Sequence, residues 1–255
     1  MLTAGVDLAA EQTKTALAVV EWTSSRGALT DLRLGVDDDA IVSVARSVEK
    51  LGIDCAFGWP DEFVRFVASH SLGEREPGTP EGGMAWRRTL AFRETDRYVR
   101  EVTGRWPLSV STDRLGLTAM RCAGLLGRLA DSGIDVDRAG YGRVVEIYPG
   151  ASLRLWGFDT RGYRSDPASR ARLLHQLQDA VSWLDLGPFE SLVVESSDAF
   201  DAVIASFAAR NAALGDSVAP PPSLLDRARR EGWIALPTRP LDDLARDGNG
   251  PDAPV

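Results

Sequence analysis

The chain has 255 residues, of which 44% are hydrophobic and 26% charged, a composition typical of one large globular domain or two small ones. Its formal net charge of -8 argues against a protein that binds nucleic acid through overall basicity. With no long apolar run and no basic-then-apolar leader, we expect a cytoplasmic protein without a membrane span or a signal peptide. The two cysteines and two histidines argue against a disulfide framework, a structural zinc site or a histidine-based triad.

The first stretch of the chain has the pattern of a β-hairpin. Apolar residues alternate at positions 2, 4, 6 and 8, and a second run over 15–22 follows after a few turn residues. Residues 28–36 alternate in the same way and predict a third strand. Asp7 lies near the end of the first strand. A carboxylate there is costly to bury unless it is paired, hydrogen-bonded or bound to metal.

A helix and a second acid-bearing strand are predicted next. Apolar residues at helical spacing follow three aspartates, which predicts a helix that runs to Leu51 and is ended by Gly52. Residues 53–57 form a strand candidate that contains Asp54. Two predicted strands therefore carry acids that are hard to place in an apolar core.

Residues 61–140 are predicted to form a mostly helical insertion between strands. A glycine- and proline-containing loop occupies 71–83. Nine arginines and four acids follow between Met84 and Arg128, a local excess of five positive charges. One interpretation is a face for phosphate or another anion, and the alternative is a solvated helical surface crossed by ion pairs.

The second half supplies three more acids. Residues 143–149 predict a strand that contains Glu146, and 192–194 form a short apolar run. A helix is predicted over 198–214, where Asp198 and Asp201 are three residues apart and project from one face. The last predicted pieces are a helix over 225–232 and an extended segment, after which 238–255 reads as a disordered tail. A single domain over 1–237 is therefore expected.

Converging carboxylates have a chemical use. Two Mg²⁺ or Mn²⁺ ions held by oxygen ligands can clamp the attacking and leaving oxygens of a phosphoryl displacement. Taken singly, each acid could instead be salt-bridged, and Asp198 could simply belong to the first turn of its helix.

The sequence segments around these acids are similar to those of a known protein family. The set resembles the DUF429 family, whose proteins are predicted nucleases with a ribonuclease H-like α/β fold, a mixed sheet flanked by helices. The segments that carry the resemblance are GVDLAA (5–10), IDCAFGWPD (53–61), WRRTLAFRETDRYVRE (86–101), RWPLSVSTDRLGLTAMRCAGLL (105–126), RVVEIYPGASLRLWG (143–157) and SSDAFDAVIASFAARNAALG (196–215). The chain departs from the family pattern at Ala56 and Gly150, and neither departure removes an acid.

The resemblance implies a role for each acid. Asp7 would be the acid of the first strand, Asp54 that of the fourth strand, and Asp198 and Asp201 a pair on the closing helix. Glu146 lies in the family's motif around Tyr148. The expected catalytic set is Asp7, Asp54, Glu146, Asp198 and Asp201, with Mg or Mn bound by Asp7, Asp54 and Asp201 and substrate phosphates bound by Lys14, Arg87, Arg88, Arg97 and Arg114.

Three functions remain open at this point. The first is metal-dependent hydrolysis of a nucleic-acid phosphodiester, with the arginine-rich insertion as the nucleic-acid contact. The second is a catalytically silent binding or scaffold protein of the same fold, in which arginines of the insertion pair with the acids. The third is an ATP-dependent phosphotransferase, against which stands the lack of a second glycine-rich phosphate loop.

Overall fold

The computed structural model describes residues 1–74 and 82–246. Within these ranges the chain is an α/β protein, with a mixed six-stranded sheet flanked by ten α-helices. The strands are β1 (Leu2–Asp7), β2 (Ala16–Trp22), β3 (Gly27–Leu34), β4 (Lys50–Asp54), β5 (Val144–Glu146) and β6 (Leu184–Asp185). The helices are α1 (Asp38–Ala45), α2 (Asp61–Ser71), α3 (Met84–Ala91), α4 (Glu94–Thr103), α5 (Gly116–Asp131), α6 (Pro149–Leu155), α7 (Pro167–Ala180), α8 (Glu190–Glu195), α9 (Ser197–Ala213) and α10 (Leu225–Glu231).

The sheet runs in the order β5-β4-β1-β2-β3-β6. The predicted hairpin is confirmed, because β1 pairs antiparallel with β2, and β2 pairs antiparallel with β3. On the other side of β1, β4 and β5 add in parallel, and β6 lies parallel to β3 at the far edge. The first strand is therefore central, and it has an antiparallel neighbour on one side and a parallel one on the other.

The sheet separates two apolar cores. Alternate residues of the strands face α7, α8 and α9 on one side and α1 and α5 on the other. Helix α9 is buried along nearly its whole length, which its many alanines permit. None of the helices within the described ranges is long and apolar enough to cross a membrane.

Two glycines let α9 lie directly on the sheet. A Cβ at Gly5 would come within 2.1 Å of the carbonyl oxygen of Ala202, and one at Gly52 within 2.8 Å of that of Ala205. Side chains two residues apart on a strand share a face, so Asp7 and Asp54 project to the same side as these glycines. Because Gly5 and Gly52 have no Cβ, the strands that carry Asp7 and Asp54 can lie close to α9, which carries Asp201.

The helical insertion is present between β4 and β5, where it comprises α2, α3, α4 and α5. Its longest helix, α5, buries Cys122, Leu125 and Leu129 against the sheet. Part of the predicted loop over 71–83 falls on residues 75–81, which lie outside the described residues.

Two predictions of local structure are corrected. Helix α1 ends at Ala45 instead of reaching Leu51, because the chain turns so that Leu51 and Gly52 can join β4 between β1 and β5. The apolar run 192–194, to which no element was assigned, forms part of α8. Residues 238–246 are folded, since Leu241 and Leu244 are buried in the core with α9, and the rest of the predicted tail, 247–255, lies outside the described residues.

Candidate functional site

Three aspartates meet where β1 and β4 end. The parallel register of these strands places Asp7 directly beside Asp54. Asp201 approaches from α9, with Asp198 one turn earlier on the same face. All four, with Glu146, line one cavity of about 260 Å³. The structure therefore brings together the five acids that were predicted as a set.

A cation from outside the predicted set lies among these acids. Arg164, in the loop between α6 and α7, donates from Nε to Oδ2 of Asp201 over 2.8 Å and from Nη2 to Oδ2 of Asp54 over 3.4 Å. The hydroxyl of Tyr163 donates to Oδ1 of Asp201 over 2.8 Å. The side chain of Arg164 is 48% exposed, whereas that of Asp201 is 3% exposed. Arg164 thus bridges two of the acids from the mouth of the cavity.

The acids are poorly neutralised by their surroundings. Burial, followed by the nearby charges of Asp54 and Asp201, raises the pKa of Asp7 well above its usual range, and the charge of Arg164 only partly opposes this. Burial likewise raises the pKa of Asp54 to about 7, against the opposing charge of Arg164. The pKa of Asp201 is also raised, by burial, although Arg164 and Tyr163 hold it down. One arginine is therefore too little positive charge to keep the whole cluster ionised, so it takes up protons unless a further cation binds.

Glu146 has a different environment from the aspartates. Val145, its neighbour on β5, packs on α9 beside Ala205, so strand alternation directs Glu146 to the opposite side of the sheet. There Arg93 donates from Nη1 and Nη2 to its two carboxylate oxygens over 2.9 and 2.7 Å. The amide of Phe57 donates to the same carboxylate over 3.0 Å.

The pair of Arg93 and Glu146 is part of a buried network. Arg93 also forms a two-point ion pair with Asp96, whose side chain is fully buried. Burial raises the pKa of Glu146, and Arg93 opposes that shift. Both oxygens of Glu146 are therefore already bonded, and this acid closes the cavity wall while it anchors the insertion to β5.

The donor chemistry of the aspartates fits a hard cation. Asp7, Asp54 and Asp201 offer carboxylate oxygens, the ligands that Mg²⁺ and Mn²⁺ prefer, on the wall of an open cavity. Within the described residues, however, no three acidic, histidine or cysteine side chains already form a group that could hold a metal ion. The guanidinium of Arg164 lies between two of the three expected ligands, so a metal ion would have to displace it.

The five residues predicted to bind substrate do not line this cavity. Lys14 lies on an exposed turn between β1 and β2. Arg87, Arg88 and Arg114 are exposed on the insertion, and Arg97 is paired with Glu94. The cationic residues that do line it are Arg93 and Arg164.

The arginine-rich segment divides into two groups. Four of its nine arginines pair with acids: Arg93 with Asp96 and Glu146, Arg97 with Glu94, Arg121 with Asp38, and Arg128 with Asp39. The ion-pair interpretation holds for this group. The other five have no ion-pair partner among the residues that the structure describes: Arg87, Arg88, Arg100, Arg105 and Arg114.

Sequence reasoning missed Arg164, Tyr163 and the role of Arg93. Tyr163 and Arg164 lie in a polar loop without periodicity, and no motif distinguishes them. The only usable signal for Arg93 was its place in an arginine-rich helical region opposite a strand acid, which does not select one arginine among nine.

Comparison with known proteins places the chain by family only. The family model described as "Protein of unknown function (DUF429)" matches residues 5–224, which include the end of β1, all of β2 to β6 and all five acids. Neither the curated proteins nor the solved structures contain a significant match to the chain.

Proposed function

The chain belongs to the DUF429 family, and we propose that it is a metal-dependent nuclease with a ribonuclease H-like site. The observation that carries this proposal is the register that pairs Asp7 with Asp54, together with Asp201 facing both from α9. Two acids on adjacent parallel strands and one on the closing helix offer carboxylate oxygens that could hold the metal ions used in phosphodiester hydrolysis.

The topology supports the ribonuclease H-like assignment. Two acids lie at the ends of the first and fourth strands, which are neighbours, and the third lies on the helix packed over them. These are the positions that the family resemblance implies for Asp7, Asp54 and Asp201. The arrangement depends on Gly5 and Gly52, which let α9 approach the sheet.

Each residue of the candidate site has a separate role in this proposal. Asp7, Asp54 and Asp201 would hold Mg²⁺ or Mn²⁺, which supplies a Lewis acid and a metal-bound water for phosphodiester hydrolysis. Asp198 at the rim adds negative charge, and its carboxylate accepts from the hydroxyl of Ser197 over 3.1 Å. Arg164 can turn from the acids to a substrate phosphate because half of its side chain is exposed. Glu146 and Arg93 form part of the cavity wall and keep its shape.

Cleavage of labelled DNA and RNA oligonucleotides with Mn²⁺ or Mg²⁺ tests the proposal. We expect Asp7→Asn to lower the cleavage rate at least about a hundredfold, as loss of a group that stabilises a transition-state charge does. Asp131→Asn is the matched control, since Asp131 is exposed and lies outside the cavity. Cleavage by Asp7→Asn at the wild-type rate would contradict the assignment.

A catalytically silent binding protein is the second candidate. The observation that favours it is Arg164, which already neutralises part of the acid cluster in the place a metal ion would take. Thermal unfolding with EDTA, Mg²⁺ and Mn²⁺ separates the two functions. A metal ion that binds only the folded state raises the free energy of unfolding by about 2.7 kcal/mol when its free concentration is a hundred times its dissociation constant. Unchanged midpoints with either metal would favour the silent protein.

A further inference from the structure

A second cavity opens beside the acidic one. Its volume is about 190 Å³, and it lies between α6 and the loop that precedes α7. The two cavities share Tyr148 and Arg164 as a common wall. The side chains that matter here are Tyr148, Arg154, Thr160, Tyr163, Arg164 and Ser165.

The charge of this second cavity is opposite to that of the first. Two arginines and several hydroxyl groups line it, and no acidic residue among the described ones does. The hydroxyls of Tyr148 and Thr160 donate to no other described residue, so they are free to bind a ligand. An anion would therefore find positive charge and hydrogen-bond donors here without facing a carboxylate.

Arg154 gives this cavity the character of a built site. Its Nη1 atom is buried and has no hydrogen-bond partner. Arg154 also forms no ion pair within the described ranges, unlike Arg93, Arg97 and Arg121. Leaving a buried guanidinium nitrogen without an acceptor is unfavourable, and a turn of the Arg154 side chain toward an anion in the cavity would give it one.

We propose that the second cavity binds a phosphate group of the nucleic-acid strand, next to the phosphodiester held at the aspartates. This inference rests on the proposed nuclease function and extends it to substrate recognition. A guanidinium fork matches the oxygens of a phosphate at two points, and the hydroxyls supply further donors. Contacts to a neighbouring phosphate fix the register of the strand without reading its sequence.

Arg164 links the two cavities. It bonds to Asp54 and Asp201 on one side and lines the phosphate cavity on the other. A phosphate bound by Arg154 attracts the same guanidinium, and this draws positive charge away from the two carboxylates. The second cavity therefore positions the strand beside the aspartates, with Arg164 between the two cavities.

Two measurements on the full chain test this inference. The first is thermal unfolding in EDTA with inorganic phosphate, against chloride at equal ionic strength, for wild type, Arg154→Gln and Arg46→Gln. Arg46 is an exposed arginine at the end of α1, and it lines neither cavity. We expect phosphate to raise the midpoints of wild type and Arg46→Gln, and the dissociation constant for phosphate to rise about tenfold in Arg154→Gln.

The second measurement is the steady-state cleavage of a single-stranded oligonucleotide with Mn²⁺. We expect Arg154→Gln to raise KM about tenfold while kcat changes little, because a contact that holds substrate and transition state equally affects KM alone. An unchanged KM in a cleaving enzyme would overturn the inference, even if inorganic phosphate still bound, since the cavity would then serve free phosphate.

The outcomes separate this inference from the nuclease proposal. An equal phosphate response in all three proteins, or none in wild type, overturns the phosphate cavity whether or not the chain cleaves. A phosphate response that depends on Arg154 in a protein that cleaves neither DNA nor RNA supports an anion site and contradicts the nuclease proposal.

Discussion

Asp54 and Glu146 end neighbouring parallel strands, yet their surroundings are opposite. Glu146 receives two hydrogen bonds from the buried Arg93 and a third from the backbone of Phe57. Asp54 has a single 3.4 Å contact with Arg164, whose side chain is half exposed. The cause is strand alternation, which directs Glu146 toward the insertion and Asp54 toward α9.

The difference distinguishes a structural acid from a reactive one. A carboxylate whose two oxygens are both bonded to a buried arginine is held in place by the fold and has less capacity left for a ligand. A carboxylate that is buried and under-neutralised costs stability, and such a cost is typical of a functional site. The four predictions below test this contrast, from the largest expected effect to the smallest.

The largest effect is expected from breaking the saturated network. Arg93→Ala leaves Glu146 and Asp96 buried without their cation, so it should lower the free energy of unfolding by about 3–5 kcal/mol. Urea denaturation measures this. Arg161→Ala is the control, because Arg161 and Asp159 form an exposed pair whose loss should leave the midpoint unchanged. Equal midpoints for both variants would contradict a structural role for the network.

The second prediction concerns pH and the under-neutralised acid. The pKa of Asp54 is raised to about 7 in the folded chain, so folding binds a proton and stability should fall as pH rises from 4 to 8. In EDTA at pH 8, Asp54→Asn should therefore be more stable than wild type by about 2 kcal/mol. Unfolding curves at pH 5 and pH 8 measure the difference. A gain of the same size at both values would show that ionisation is not its cause.

The third prediction removes the bridging cation. Without Arg164 the aspartates repel one another more strongly and no guanidinium competes with a metal ion. The stabilisation by Mn²⁺ should then exceed that of wild type by about 1–2 kcal/mol. Thermal unfolding of Arg164→Ala with EDTA and with Mn²⁺ measures it, and Arg46→Ala serves as the control. A response to Mn²⁺ weaker than that of wild type would instead make Arg164 a support of the metal site.

The smallest effect is expected at Tyr163. Its hydroxyl donates to Asp201 and accepts from Nε of Arg164 over 3.0 Å, so Tyr163→Phe removes one bonded group and leaves the ring in place. The free energy of unfolding in EDTA should fall by about 1 kcal/mol. The ring still packs against Phe200 in this variant. A decrease in the free energy of unfolding as large as that of Arg93→Ala would therefore contradict a role limited to the hydrogen bonds of the hydroxyl.

Much of the fold follows from local pattern. The β1–β2 hairpin, the strand that carries Glu146 and the helix that carries Asp201 were predicted from runs of apolar and small residues, and the structure buries these elements on both faces. Helix α1 was predicted too long because Val48 and Leu51 fit a helical period while they belong to a turn and a strand. Residues 241–245 were missed because their polar neighbours hide three buried side chains.

The candidate site was predictable in part. Acids on apolar strands are conspicuous in a sequence, and all five line one cavity. Which of them are neutralised was not predictable, since Arg93 is 53 residues from Glu146 and Arg164 is 110 residues from Asp54. The basic residues chosen for substrate contact carry the right charge, but none of them lines the cavity that holds the aspartates.

The sequence by itself determined the family, the α/β class and the identity of the acids, because each depends on residue type and local spacing. Only the tertiary structure decided that Glu146 is bound by Arg93, that Arg164 bridges Asp54 and Asp201, and that Arg154 lines a cavity without a partner. The physical reason is that neutralisation of a buried charge depends on distance in space, which a sequence does not encode locally.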